Sequence, residues 1–294
     1  VEPFISIIVP TYNRPDALVD CVRSVAQLTY PLDRFELLIV DDGSSTPPGG
    51  RVKQSAGPTT VRWLSQPHGG PARARNLGAS QARGGVLVFV DDDCRVPPDF
   101  LCRVSAHIRA APNTGIGGQT INVLDNVYST ASQVHVEYLY RHYNAAPGRA
   151  RFFSSNNLAL PAEEFRRIGG FDDRFMTGED RELCDRWLNA GFALKYCPDV
   201  RVYHAHDLSL RSFWSQHFNY GRGAFRFRQR RAERLQSRIT LESWAFYLNL
   251  LRCHSPHVTR WRRLPVNVLL ALSQVANAAG FLWERAATAS DRRV

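Results

Sequence analysis

The sequence predicts an α/β protein: a mostly parallel, Rossmann-like central sheet flanked by helices, followed by a C-terminal helical extension. Three observations predict it. Short apolar, β-branched runs at residues 5–9, 36–40, 60–63 and 86–90 are bounded by turn-forming residues, as buried strands require. Stretches with helical spacing separate several of them, and carboxylates stand directly after two of the runs. Alternating strand and helix favours a parallel sheet whose ligands bind at the carboxyl ends of its strands.

Taken in order, Leu18, Val22, Val25 and Leu28 give residues 15–28 one apolar face, and residues 71–81 form a second helix before the fourth strand. Beyond Asp91-Asp92-Asp93 the chain enters Val96-Pro97-Pro98-Asp99, a helix start. A strand is expected near residues 116–123, a helix near 131–143, a loop at 148–151 and ordered chain at 154–160. Helices follow at 162–168 and at about 179–190, the latter ending at Gly191, then strands at 193–197 and 200–203. The expected organisation is an α/β region at 1–210, with parts at 1–100 and 101–210, and a basic, aromatic helical region at 211–294.

The 294 residues and 44% hydrophobic content suffice for a large core. The formal charge is +10, and residues 201–294 carry sixteen arginines against five acids. The basic character therefore belongs to the last third, where it could meet nucleic acid, an anionic membrane or a phosphorylated substrate. Interleaved aromatic and Arg residues suit single-stranded nucleic acid, but the near-neutral remainder and the lack of a recognised binding motif argue against it. Six cysteines show neither CxxC nor Cys/His zinc spacing, so reduced thiols in the cytoplasm are expected. No signal peptide is recognised. No uninterrupted apolar run reaches the roughly 18 residues of a membrane span. The nearest candidate, residues 266–283, is broken by Asn267, Ser273, Gln274 and Asn277.

Asp91-Asp92-Asp93 sets three carboxylates at the end of an apolar strand. Like charges there need a cation or hydrogen-bond donors, and a hard divalent ion bridged to phosphates, Mg²⁺ or Mn²⁺, would serve. Residues i and i+2 face the same way in extended chain. Asp91 and Asp93 are thus expected on one metal, with Asp92 turned toward a sugar or ribose hydroxyl. The alternative is a helix N-cap and solvated turn. Asp41-Asp42-Gly43-Ser44 reads equally as an ordinary turn or as a carboxylate accepting a base N–H.

Six motifs in order then resemble family 2 glycosyltransferases: Ile7-Ile8-Val9-Pro10-Thr11-Tyr12-Asn13-Arg14, Val40-Asp41-Asp42-Gly43-Ser44, Ala74-Arg75-Asn76-Leu77-Gly78, Asp91-Asp92-Asp93, Gly169-Gly170-Phe171-Asp172 and Gly178-Glu179-Asp180. The resemblance spans residues 5 to about 206. It implies a GT-A fold and an inverting, metal-assisted transfer from a nucleotide sugar, a UDP-sugar first among candidates, to a hydroxyl of a glycan, lipid or small molecule. Pro10, Thr11, Tyr12, Asn13 and Arg14 would hold the nucleotide, Asp42 would read the base, and Arg75, Asp91 and Asp92 would lie near the nucleotide and phosphates. Asp91 and Asp93 match the metal-binding DxD, and His204 matches a metal- or diphosphate-reaching histidine better than His206 does. Asp180 matches the catalytic base, with Glu179 in reserve. Arg222 would lie on a mobile segment closing over the diphosphate.

A nucleotidyltransferase would instead need a Gly-rich phosphate loop after the first strand, where this chain has Thr11-Tyr12-Asn13-Arg14. The other rival is a catalytically silent nucleotide-sugar binder or membrane-docking protein of the same fold. Residues 241–251 and 266–283, with Arg260-Trp261-Arg262-Arg263 between them, suit either packing or peripheral docking on an anionic cytoplasmic membrane face.

Overall fold

Strand β1 (Ile5–Thr11) sends Ile5, Ile7 and Val9 into one hydrophobic cluster and Ile8 into another. Strand β2 (Phe35–Asp41) does the same, with Phe35, Leu37 and Ile39 on one face and Leu38 and Val40 on the other. Period-two alternation of apolar residues on both faces requires cover on both sides of the sheet, and each fully buried Val, Ile or Leu contributes about 1.5–3 kcal/mol. In the computed structural model, which describes residues 2–47, 50–146, 148, 150–253 and 258–291, helices supply that cover.

Helix α1 (Pro15–Val25) starts with Pro at its first turn and buries Leu18, Cys21, Val22 and Val25 on one face, where the fixed φ of Pro suits helix entry. Helix α2 (Gly50–Ser55) covers the same side through Val52, and β3 (Val61–Ser65) forms one sheet edge. Helix α3 (Pro71–Gln81) lies on the opposite face through Ala72, Ala74 and Ala79. Strand β4 (Val86–Phe89) leads through the aspartate turn to β5 (Cys94–Arg95) and α4 (Phe100–Ala110). Next come β6 (Thr114–Asn122), α5 (Val127–Asn144), β7 (Leu158–Pro161), α6 (Ala162–Arg167), α7 (Glu179–Asn189) and β8 (Ala193–His204). Helices α8 (Leu210–Arg234), α9 (Trp244–Arg252) and α10 (Arg263–Asp291) complete the described chain.

The eight strands form one sheet in the order β3-β2-β1-β4-β7-β6-β8-β5. Pairs β3/β2, β2/β1, β1/β4 and β6/β8 are parallel, whereas β4/β7, β7/β6 and β8/β5 are antiparallel. The sheet is thus mixed, with only β7 and β5 running against the other six. The two strands expected at 193–197 and 200–203 are one strand, β8, whose pairing with β6 shifts register between Gly118 and Gln119. Of the loop expected at 148–151, Arg149 lies outside the described residues.

A third hydrophobic cluster joins Ala131, Val134 and Tyr138 of α5 to Phe213 of α8, Phe246 and Leu250 of α9, and Val266, Leu269 and Leu270 of α10. The C-terminal helices therefore share a core with α5, so the division expected at residue 210 does not divide the packing. Helices α8 and α10 meet backbone to backbone. A Cβ on Gly221 would overlap the carbonyl of Asn277, and one on Gly280 that of Phe218.

Candidate active site

The carboxyl ends of β1, β4 and β8 converge on a cavity of about 1240 Å³. After β4 the chain turns, with Cys94 N donating to Asp91 O at 3.1 Å, so the strand alternation expected for the three aspartates does not apply. Asp91 faces α3, where Arg75 Nη2 donates to its Oδ1 at 2.6 Å. Asp92 faces β1 and accepts from Thr11 Oγ1 at 2.8 Å and Arg14 Nη1 at 3.3 Å. Asp93 faces β8.

Pairing of β5 with β8 sets Cys94 opposite His204, and this brings the neighbouring Asp93 to two imidazoles. His204 Nε2 lies 3.2 Å from Asp93 Oδ1, and His206 Nδ1 lies 3.7 Å from Oδ2. One ligand atom from each of Asp93, His204 and His206 falls within 4.8 Å of the others. One carboxylate with two imidazoles is a donor set that fits a divalent transition ion. Of the expected pair, Asp93 is in this cluster and Asp91 is not; His204 is, and His206 takes the third position. His206 was legible as the i+2 neighbour of His204, facing the same way in extended chain.

Arg14 Nη1 also reaches Asp93 Oδ2 at 3.0 Å, so one guanidinium spans Asp92 and Asp93. Burial would raise Asp93, but its hydrogen bond to His204 and the nearby charges of His204 and Arg14 hold its carboxyl below the usual range. Asp92 goes the other way: burial pushes it up to about 6 despite Arg14. The hydroxyl-reading role expected of Asp92 is therefore replaced, in this arrangement, by contacts to Thr11 and Arg14.

Arg75 is 3% exposed and joins two parts of the site, donating through Nη1 to Glu179 Oε1 at 2.8 Å as well as to Asp91. Its Nε is buried with no partner among the described residues. Burial opposes its charge, yet Asp91 and Glu179 raise its pKa. Arg75 thus lines the cavity with its two terminal nitrogens bonded to carboxylates. Glu179 and Asp180 begin α7, after Gly178 at φ 80°, a left-handed conformation that Gly adopts without strain. Asp180 Oδ1 accepts from Arg181 N at 2.7 Å. Burial first, and then Glu179, push Asp180 up to about 7.

Three further expectations change. Asp42 accepts from Gln66 Nε2 at 2.6 Å, Gly69 N at 2.9 Å and Gly70 N at 2.8 Å, with His68 Nδ1 2.9 Å from its Oδ2. Its oxygens fix the loop before α3, leaving the base-reading role without a free acceptor. Asn13, at φ 54°, takes hydrogen bonds from Ser45 N and Oγ and donates its own N–H to Ser44 Oγ. It staples two loops, while Pro10, Thr11, Tyr12 and Arg14 line the cavity. Arg222 does not line it. Its Nε donates to Glu284 Oε2 at 2.8 Å and its guanidinium stacks on Trp283, both on α10, and its segment is a continuous helix, not a closing loop.

Sequence reasoning missed two aromatic features. Tyr12 and His68 stack at 4.1 Å at the cavity wall. Tyr220 of α8 also lines the cavity, and burial together with Asp180, Glu179 and Asp91 raises its hydroxyl pKa. No motif marks His68 or Tyr220, whereas Tyr12 belongs to the first motif and was expected to hold the nucleotide.

Comparison with known proteins sharpens this geometry. The profile of "Glycosyl transferase family 2" matches residues 6–169, and that of "N-terminal domain of galactosyltransferase" matches residues 134–207. Glycosyltransferase AglE of Haloferax volcanii is 26% identical over 200 residues, 67% of this chain and 66% of its own length. Validoxylamine A glucosyltransferase of Streptomyces hygroscopicus subsp. jinggangensis is 29% identical over 212 residues, 62% of this chain and 50% of its own length. The alignments thus span half to two thirds of these relatives. Among solved structures, the mannosyltransferase PcManGT from Pyrobaculum calidifontis, in complex with GDP-Man and Mn²⁺, gives a TM-score of 0.61 at 18% identity, covering 100% of this chain and 76% of that one. S. aureus TarS 1-349 with UDP-GlcNAc gives 0.58 at 14% identity, covering 94% and 89%. With a GT-A sheet, the ordered strand-end motifs and a profile match over more than half its length, this chain belongs to glycosyltransferase family 2.

Proposed function

We propose that the chain is an inverting, metal-assisted glycosyltransferase that moves a sugar from a nucleoside diphosphate donor, a UDP-sugar first among them, to an acceptor hydroxyl. One observation carries the reading: the Asp93, His204 and His206 cluster and the Asp180 carboxylate line the same cavity. Asp180 accepts the acceptor proton as its oxygen forms a bond to the anomeric carbon, while the bond from that carbon to the diphosphate oxygen breaks with its electrons. Attack from the face opposite the leaving group inverts the centre. Glu179 and Asp91 are held by Arg75, which keeps the base end and the aspartate turn at fixed separation. Asp93, His204 and His206 would hold the ion, and two imidazoles favour Mn²⁺ over Mg²⁺. Bound there, the ion would neutralise charge growing on the diphosphate. Arg14 would orient the phosphates from the same wall, and the Tyr12 and His68 rings offer a stacking face for the base.

The test is a screen of UDP-, GDP- and dTDP-sugars with Mn²⁺ and Mg²⁺, read as donor hydrolysis or transfer and as calorimetric binding. Neither binding nor turnover with any donor would remove the reading. The silent-binder alternative predicts binding without turnover.

We also propose peripheral docking on an anionic cytoplasmic leaflet. Leu264, Val268, Val275 and Leu282 of α10 are each 58–74% exposed and fall within about 40° of one another at 100° per residue. Trp261 is exposed beside Arg260 and Arg263 at the start of this stripe, a pairing suited to a lipid headgroup surface. Arg260–Ala289 is long and apolar enough to cross a membrane by length and composition. Glu284, buried between Arg222 and Arg226 of α8, favours a helix folded onto the protein.

A further inference from the structure

The wall of the cavity between α5 and α8 holds polar atoms that the transfer chemistry above does not use. Ser132 Oγ, Gln216 Oε1 and both ring nitrogens of His217 are buried and have no hydrogen-bond partner among the described residues, and all three residues line the cavity. His217 is 1% exposed. His135 lies parallel to it across the two helices, with ring centroids 5.3 Å apart and planes within 5°. A buried donor or acceptor left unmet is destabilising, so four such atoms on one wall carry a cost that a ligand, or ordered water standing in for it, would offset.

We infer that Ser132, His135, Gln216 and His217 form an acceptor subsite that binds the hydroxyls of a neutral sugar or cyclitol. The inference rests on the glycosyltransferase reading and deepens it. The donor set decides the chemistry: a hydroxyl and two neutral imidazoles can both give and take hydrogen bonds and an amide oxygen takes them, as a polyol demands. Burial lowers the pKa of both imidazoles, His135 to about 4, with His217 lowered further still by its neighbour. The pair is therefore uncharged at neutral pH and offers a phosphate or carboxylate no counter-ion.

Its position fits attack. Gln216 Nε2 donates to Tyr220 Oη at 2.7 Å, and the Tyr220 hydroxyl feels the charges of Asp180 and Glu179. A single hydrogen bond thus links the subsite to Tyr220, which lines the same cavity as Asp180. Farther along the same wall, Val136, Leu139, Phe227 and Phe281 are apolar, so an apolar aglycone extends naturally from a sugar held at His217.

The experiment uses the full chain with UDP and MnCl₂ present and measures binding of n-octyl β-D-glucoside, n-octyl β-D-galactoside and n-octyl phosphate by saturation-transfer NMR. At least one octyl glycoside should bind, and octyl phosphate should not compete with it. His217→Phe and Ser132→Ala should each weaken the glycoside about tenfold, equivalent to about 1.4 kcal/mol. His217→Phe should also leave the melting temperature unchanged or raised, because it removes an unmet polar group from the interior. A histidine with a purely structural role would lower it. The inference is overturned if neither glycoside binds, if octyl phosphate binds as well, or if both variants bind glycoside like the parent, which would mean that water alone satisfies the wall. Binding of UDP and Mn²⁺, followed on the same samples, is a separate readout: its absence in the parent protein would sink the glycosyltransferase reading whatever the glycosides do.

Discussion

Arg75 Nη2 meets Asp91 Oδ1 at 2.6 Å, with the arginine almost wholly buried and the aspartate side chain 30% exposed toward the cavity. The contact fastens the turn after β4 to α3, and the same guanidinium continues to Glu179 at the head of α7. Arg75→Met should cost about 3–5 kcal/mol, because it strands buried Glu179, and with it the partly exposed Asp91, without a counter-charge. Urea denaturation checks this. Arg75→Lys should lose less, since an ammonium keeps the charge but lacks the planar fork that reaches two partners.

Asp180→Asn should abolish transfer while preserving UDP and Mn²⁺ binding. The parent activity should rise with pH through about 7: the folded-state pKa of Asp180 is raised to about 7 by burial and Glu179, and only the ionised form accepts a proton. Stability follows the opposite sign. Above pH 7 the parent carries a charge that its surroundings disfavour, so the Asn variant should be more stable at pH 8, on the order of 1–2 kcal/mol after solvent screening. At about pH 3.5, below the unfolded-state pKa as well, Asp180 is neutral in both states and the gain should vanish. A pH–rate profile and thermal melts at the two pH values measure both effects.

His206→Ala should weaken Mn²⁺ binding at least about tenfold, or 1.4 kcal/mol. In nucleotide-free protein it should do more damage than Asp91→Asn, because His206 lies in the Asp93 cluster and Asp91 is bonded to Arg75. Calorimetric titration with MnCl₂ distinguishes the two. A larger loss in Asp91→Asn would restore the ligand pair read from the sequence.

Val275→Glu combined with Leu264→Glu should abolish co-sedimentation with vesicles containing phosphatidylserine at low salt, without changing melting temperature, because both side chains are exposed. If the parent protein fails to sediment with such vesicles, the membrane proposal is removed.

Much of this architecture was legible from local pattern. Both faces of β1 and β2 are covered, so their apolar runs stand out, and Pro71–Gln81 has its expected bounds because Pro opens it and Ala82 leaves the helix in an extended conformation. The antiparallel insertion of β7 was not legible, since pairing partners are chosen by tertiary contacts that a single strand does not encode. At the site, residue identity was easier to read than residue orientation. The aspartates were visible as a cluster, but the turn that sends Asp91, Asp92 and Asp93 to three different neighbours depends on α3, β1 and β8 together. Asp42 and Asn13 were read as ligand contacts because loop-fastening carboxylates and amides look the same in sequence. The pairing of Arg222 with Glu284 was not legible, because the two lie sixty-two positions apart and nothing local reveals it.

The glycine contact between α8 and α10 reaches further than the two helices. On its other side α8 abuts the Thr177-Gly178 turn: Thr177 Oγ1 donates to Asn219 O at 2.8 Å, and a Cβ on Gly223 would overlap the Thr177 carbonyl. That turn leads directly into Glu179 and Asp180. Carbonyl groups, not side chains, thus set the spacing from α10 through α8 to the base, and such a stack has almost no slack. For protein engineering, α8 and α10 have to change together: a chimaera that exchanges either alone would shift the wall under Asp180, whereas exchanging both keeps their glycine contact.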